Sequence, residues 1–197
     1  MSSSSSLLSG NASLAVDVSG LQAADIIFTR NEDTQSKVIR AGSCSTYSHA
    51  ILVLENGICI DATGAGVQKK SVNVALFNAT YGALYRHKSI DANYAAWVCH
   101  YAEQQQGKRY DYGGALRAGV STGCKSIRKT LGGVIIQLID EGVKGGNHDN
   151  SFFCSELVVR AFEKGGLPLI RERAQMATPE AVARSQHLNY IKDIVTS

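Results

Sequence analysis

A chain of 197 residues, 44% hydrophobic and 19% charged with only two prolines, is long enough for one well-cored domain and too short for two ordinary ones, and its composition excludes a disordered body. Its formal net charge of +3 is spread over lysines and arginines that occur singly or in pairs such as Lys69-Lys70, which argues against a nucleic-acid partner. Five cysteines, Cys44, Cys59, Cys99, Cys124 and Cys154, are an odd number without metal-ligand spacing, so neither a disulfide framework nor a zinc site is expected, and no cofactor is implied.

Residues 1–20 are Ser-rich, lack Lys and Arg, and hold no apolar run of signal-peptide length, so they read as a flexible leader. No run approaches the length of a membrane span, and no transmembrane segment is expected. The apolar stretch Asp25-Ile26-Ile27-Phe28 predicts the first strand, and residues 31–46 a loop with a helical turn near 36–40. Residues 48–54 and 58–62 are apolar runs flanking Glu55-Asn56-Gly57, a strong hairpin signal. Further strands are predicted at 67–74 and 83–86, separated by a turn-rich stretch at 78–82. From Asp91, a helix cap, the residues Tyr94, Trp97, Val98, Tyr101 and Ala102 recur at helical spacing, and Gly107 can end the helix. Residues 112–150 carry nine glycines, with a short apolar helix predicted at 131–143. A second helix is predicted at 152–164, burying Leu157, Val158, Ala161 and Phe162 and stopped by Gly165-Gly166. Thr178-Pro179-Glu180 reads as another helix start, and 188–194 as a last strand. Strands first and helices around them predict an α+β fold, an antiparallel sheet packed on helices.

Cys154 falls at the start of the second helix, where unpaired backbone N–H groups and the helix dipole favour thiolate and can stabilise an oxyanion. Taken alone this is weak, since buried structural cysteines are common at such positions. A base for the thiol must be a histidine. His87, His100 and His187 fit ordinary surface or half-buried positions, and His148 lies in an unsupported loop. His49 instead begins a strand expected to be central, and rigid elements hold catalytic geometry better than loops. Asp61, on the next strand, is the natural group to orient the ring. A two-residue loop would pair Leu52 with Asp61 and turn the carboxylate away. A three-residue loop, with a type I turn and Gly57 left-handed, pairs Leu54 with Ile58 and Ile51 with Asp61, so that Asp61 shares the face of His49. The second register is the one expected; the plainer alternative is that Asp61 ends a strand in water.

These segments, Ala24-Asp25-Ile26-Ile27-Phe28, Tyr47-Ser48-His49-Ala50-Ile51-Leu52-Val53, Ile60-Asp61-Ala62 with Gly66-Val67, Gly107-Lys108-Arg109-Tyr110-Asp111 and Phe153-Cys154-Ser155-Glu156-Leu157-Val158, together resemble the permuted papain-like cysteine hydrolases of the NlpC type, in particular the YiiX-like branch. The resemblance implies a papain-like fold in circularly permuted order, histidine strand before cysteine helix, over residues 21–197 as a single catalytic domain. It implies Cys154 as nucleophile at a helix N-terminus, His49 as base and Asp61 as orienting residue. Ala24 stands where a glycine is usual and Asp61 where relatives often carry glutamate. A Gly-rich insertion at about 113–150 is longer than typical, which suits a lid or a substrate-specific wall.

The resemblance implies an amidase or endopeptidase, with bacterial peptidoglycan peptides as the leading substrate. Such an enzyme made in the bacterial cytoplasm without an evident signal peptide needs another way out. Delivery as an antibacterial toxin through contact-dependent, type VI secretion into a target cell's periplasm reconciles the two, with secretion machinery and a cognate immunity protein as partners. A different substrate would make it a thiol-dependent acyltransferase, thioesterase or lipid hydrolase, since lecithin:retinol acyltransferase-like enzymes also place histidine before cysteine. From another class, it would be a binding module that has lost activity, against which the presence of all three side chains argues.

Overall fold

A computed structural model describes residues 15–31, 45–121 and 151–196. Its strands are β1 (Ala15–Val16), β2 (Ile26–Asn31), β3 (His49–Val53), β4 (Ile58–Thr63), β5 (Gly66–Ser71), β6 (Ala79–His87), β7 (Arg109–Tyr110), β8 (Ser151–Phe152) and β9 (Leu188–Thr196). Its helices are α1 (Val72–Ala75), α2 (Ala92–Glu103), α3 (Tyr112–Ser121), α4 (Cys154–Lys164) and α5 (Pro179–Ala183). An antiparallel sheet runs in the order β1-β9-β6-β2-β3-β4-β5, and β7 and β8 form a short parallel pair before α3 and α4. The expected α+β class and the packing of an antiparallel sheet on helices are observed.

Strand alternation divides the core between the two faces of the sheet. On one face Phe28, Leu52 and Ile60 pack against Leu157, Val158 and Phe162 of α4 and Val98 and Ala102 of α2. On the other, Ile27, Ile51, Val53, Leu84 and Ile194 meet Val72 and Leu76. The buried stripe of α2 is Ala95, Val98, Cys99 and Ala102, whereas Trp97 is 64% exposed and Tyr94 also faces outward. Small side chains face inward because α2 lies close on the end of α4: a Cβ on Gly165 would stand 2.5 Å from Val98 Cγ2.

Several segments depart from the predicted elements. Residues 67–74 are not one strand: β5 ends at Ser71, whose hydroxyl caps α1 by accepting from Val74 N–H. That turn starts the chain from the sheet edge back toward β6, which pairs with β2 and β9 rather than β5. The turn-rich residues 79–82 belong to β6, and α3 forms within the Gly-rich stretch, Asp111 Oδ1 accepting from Gly114 N–H at 2.7 Å at its start. Within the stretch expected to be a leader, Ala15 and Val16 pair with Thr196 and Val195. The predicted turn near 36–40 and helix at 131–143, with Cys44, Cys124 and His148, lie outside the described residues. Ala24 adopts φ 64°, the left-handed conformation that favours glycine. It is held there by its N–H donating to Val53 O at 2.9 Å and by the buried bidentate pair of Asp25 with Arg86 beside it, at 2.6 and 2.8 Å.

Gly82 marks a shift in register between β6 and β9, and an added Cβ would meet Ile194 Cγ2 at 2.9 Å and Val195 Cγ2 at 3.2 Å. Both neighbours are buried and stiff at χ1. Gly82→Ala is therefore expected to destabilise the fold by about 1–3 kcal/mol through overpacking, read as a lower midpoint with unchanged slope in urea unfolding.

Candidate active site

The hairpin between β3 and β4 sets the first half of the site. Ile58 N–H donates to Glu55 O at 3.1 Å, and Asn56 and Gly57 have φ of 57° and 71°, the signature of a type I′ turn rather than the expected type I. Yet Leu54 N–H also donates to Ile58 O at 2.8 Å, and Leu52 pairs with Ile60. Glu55 is thus an extra residue, a bulge beside a two-residue turn, and the register is the one expected from a three-residue loop. It carries Asp61 onto the face of His49, and His49 Nε2–H donates to Asp61 Oδ2 at 2.9 Å.

The same pattern frees a backbone donor. Even-numbered residues of β3 bond toward β4, but the ladder between these strands runs only over Leu52–Ile60 and Val53–Cys59. Ala50 N–H, released from it, and Ser155 N–H lie near the Cys154 sulfur and favour its ionised form. Cys154 is the first residue of α4, and the preceding Phe153 offers no side-chain cap. The thiol also lies within hydrogen-bonding reach of the His49 ring. With Nε2 on Asp61, Nδ1 is the nitrogen left for the sulfur. The structure thus brings Cys154, His49 and Asp61 together from α4, β3 and β4. His87 and His187 instead stack on each other with centroids 5.8 Å apart, and His100 bonds Gln104 on α2.

Burial opposes charge on every member of this chain, and the neighbours overcome it. Burial pushes the Cys154 thiol up, but the imidazolium and the two N–H donors hold it below its usual range. Burial pushes His49 down, but Cys154 and Asp61 raise it to about 10. Burial likewise pushes Asp61 up, and His49 and then Lys70 hold it below the usual carboxylate range. The neighbours thus favour the charged form of all three groups, a thiolate beside an imidazolium backed by a carboxylate.

Other members were not apparent in the sequence. Lys70 Nζ lies 2.8 Å from Asp61 Oδ1. Ser155 Oγ–H donates to Ala177 O at 2.7 Å, fixing the segment before α5 against the cysteine helix. Glu156, next in the chain, is buried with its carboxyl pushed up to about 7 by that burial, and pairs with Arg160 at 2.8 Å. A pocket beside Cys154 is walled by Tyr110, Phe153, Ala115 and Ala118 of α3, and Ala177, Thr178 and Pro179, with no charged side chain among the described residues that line it. Only the hairpin register could have pointed to Lys70, two residues beyond Gln68, the partner of Asp61. The Ser155 and pocket contacts are long-range and leave no local pattern.

No family model matches the chain. It is similar to the probable lipoprotein peptidase YaeF of Escherichia coli strain K12, 25% identical over 173 residues, an alignment that takes in 81% of this chain and 61% of that protein. The chain therefore spans less than two thirds of that relative's length. Its fold is similar to the crystal structure of yiiX from Escherichia coli O157:H7, described as a metalloprotein, with a TM-score of 0.63 and 16% identity over 87% of this chain and 96% of that one. Among the described residues, no three His, Cys, Asp or Glu side chains are grouped to hold a metal ion.

The ion pair has a direct signature. A free thiol of ordinary pKa, about 8.5, loses thiolate about a hundredfold between about pH 8 and pH 6. Because Cys154 is shifted below its usual range and His49 above its own, the alkylation of Cys154 by iodoacetamide should fall less toward acid across that interval than that of a free thiol. In His49→Ala the rate should fall steeply with acid, as followed by mass spectrometry of the Cys154 peptide.

Proposed function

We propose that this chain is a cysteine hydrolase of the permuted papain-like, NlpC type that cleaves an amide bond. The observation that carries this reading is the continuous contact from Asp61 through His49 to a sulfur flanked by backbone N–H donors at an uncapped helix start. Groups in this order do acyl transfer.

The thiolate of Cys154 attacks the amide carbonyl carbon, and the carbonyl electrons move onto oxygen, where first-turn N–H groups of α4 supply stabilising donors. Protonated His49 gives its proton to the amide nitrogen, the carbon–nitrogen bond breaks and the amine departs, leaving a thioester on Cys154. His49, now neutral, takes a proton from water; the hydroxide adds to the thioester, and the thiolate leaves as the carboxylic acid forms. Asp61 keeps Nε2 protonated and the ring in plane throughout, so that Nδ1 faces the sulfur.

The pocket beside Cys154 supports a substrate that is small and uncharged at the scissile bond. Its apolar walls leave free volume of about 10 Å³, room for one methyl-sized group. Alanine side chains of bacterial wall peptides suit that space, which favours peptidoglycan peptides as the substrate. The resemblance to a protein named a lipoprotein peptidase fits amide cleavage equally. The apolar lining also favours a second reading, a thioesterase or acyltransferase accepting an acyl group. Delivery as a toxin gains no support from either relative.

Incubating the protein with muropeptides and, in parallel, with fatty-acyl esters separates the readings by the masses of the products. Cys154→Ala should abolish turnover while circular dichroism stays unchanged. Asp61→Ala should lower kcat by about 100- to 10,000-fold, less than loss of the nucleophile, because an orienting group contributes less than the reacting one. An undiminished phenotype in Cys154→Ala would favour a binding role for the fold.

A further inference from the structure

The Lys69-Lys70 pair, unremarkable as sequence, is divided by strand alternation. Lys69 points outward and meets Glu103 of α2 at 3.1 Å, both side chains well exposed. Lys70 lies on the other face. The β4–β5 register sets Cys59 opposite Lys70 and Asp61 opposite Gln68, so Lys70 shares the face of Asp61 one diagonal step away. Its side chain is 21% exposed, that of Asp61 is 2%, and Nζ comes to 2.8 Å from Oδ1, the oxygen His49 does not use.

We propose that Lys70 is a positioning residue for the catalytic histidine, clamping the free oxygen of Asp61 so that the carboxylate can neither rotate away from His49 nor act on it as an uncompensated buried charge. This inference rests on the reading of Cys154, His49 and Asp61 given above.

Two effects follow from the geometry. Mechanically, the carboxylate is hydrogen-bonded at Oδ2 by the ring and drawn at Oδ1 by the ammonium 2.8 Å away, an ion pair without hydrogen-bond geometry, and the two pulls together favour one plane. Each oxygen is on a different strand partner, β3 and β5, with the carboxylate between them on β4. Without Lys70, Oδ1 would sit buried with no counter-charge, a costly state relieved only by turning or by taking a proton. Either response weakens the bond that keeps His49 Nε2 protonated.

Electrostatically, the groups facing Asp61 are His49 on β3, Cys59 on β4, Lys70 on β5, and Tyr110 on β7. Lys70 is the amine that pairs with Asp61, while burial pushes Cys59 up to about 12 and raises Tyr110 as well. The charge of Lys70 offsets part of the pull of Asp61 on the His49 proton. A base in a two-step acyl transfer must both hold and release that proton, so an offset that keeps His49 from becoming still more basic serves turnover directly.

The test compares Lys70→Met and Lys70→Arg with the unaltered full-length chain, following the His49 imidazole by NMR across pH and the turnover of muropeptides in parallel. Lys70→Met should move the His49 titration midpoint by about one unit, a tenfold change in its protonation equilibrium, upward if Asp61 stays charged and in place and downward if it turns or takes a proton. It should also lower kcat by tenfold or more with KM little changed, and Lys70→Arg should restore both. A merely structural lysine would lower the thermal midpoint and leave the His49 titration where it was. That result, or full kcat in Lys70→Met, overturns the proposal. Its failure is distinct from failure of the hydrolase reading, which would appear in the unaltered chain as a Cys154 without a low-pH alkylation limb and a Cys154→Ala variant that still turns over.

Discussion

The site depends on one extra residue. Glu55 is bulged beside the Asn56-Gly57 turn, and that insertion fixes which residues of β4 stand opposite β3. Because side chains alternate along a strand, a shift of one position would send Asp61 to the helix-covered face and leave His49 without its acceptor. The same offset, with the ladder ending at Leu52–Ile60, frees Ala50 N–H for the sulfur. Register, orientation of the ring and a donor to the thiolate are therefore consequences of a single backbone irregularity.

Across the strands and the helix that meet there, groups that favour opposite charge alternate: the Cys154 thiol on α4, the His49 imidazole on β3, the Asp61 carboxyl on β4 and the half-buried Lys70 amine on β5. Each would be costly to bury alone, and each lowers the cost of its neighbour. The helix start contributes partial positive charge at the sulfur end without a side chain that could itself titrate. A row of this kind resists having any one member removed, and for the same reason it favours ionisation of the thiol.

The remainder of the fold holds these pieces against one another. Ser155 ties α4 to the segment leading into α5, and Glu180 of α5 accepts from Thr46 N–H at 2.8 Å on the approach to β3. Asp25 and Arg86 lock β6 to the entry of β2, the strand on which β3 is built. Such long-range side-chain to backbone links set the distance between sulfur and imidazole, which no single element could fix.

Local chemistry was legible without coordinates. Asp91 and Thr178 cap the helices they were expected to cap, α4 buries the residues its spacing indicated, and the hairpin forms at Glu55-Asn56-Gly57 in the expected register, though through a different turn type. The sequence by itself determined these elements because caps, turns and amphipathic stripes depend on neighbours a few residues away. It could not show that residues 72–75 leave the edge strand as a helix, that Gly82 lies inside a strand, or that Lys70 turns inward while Lys69 turns out. Those outcomes were decided by the tertiary structure, because sheet order, the end of a ladder and the compensation of a buried charge depend on groups brought close only by the folding of distant segments.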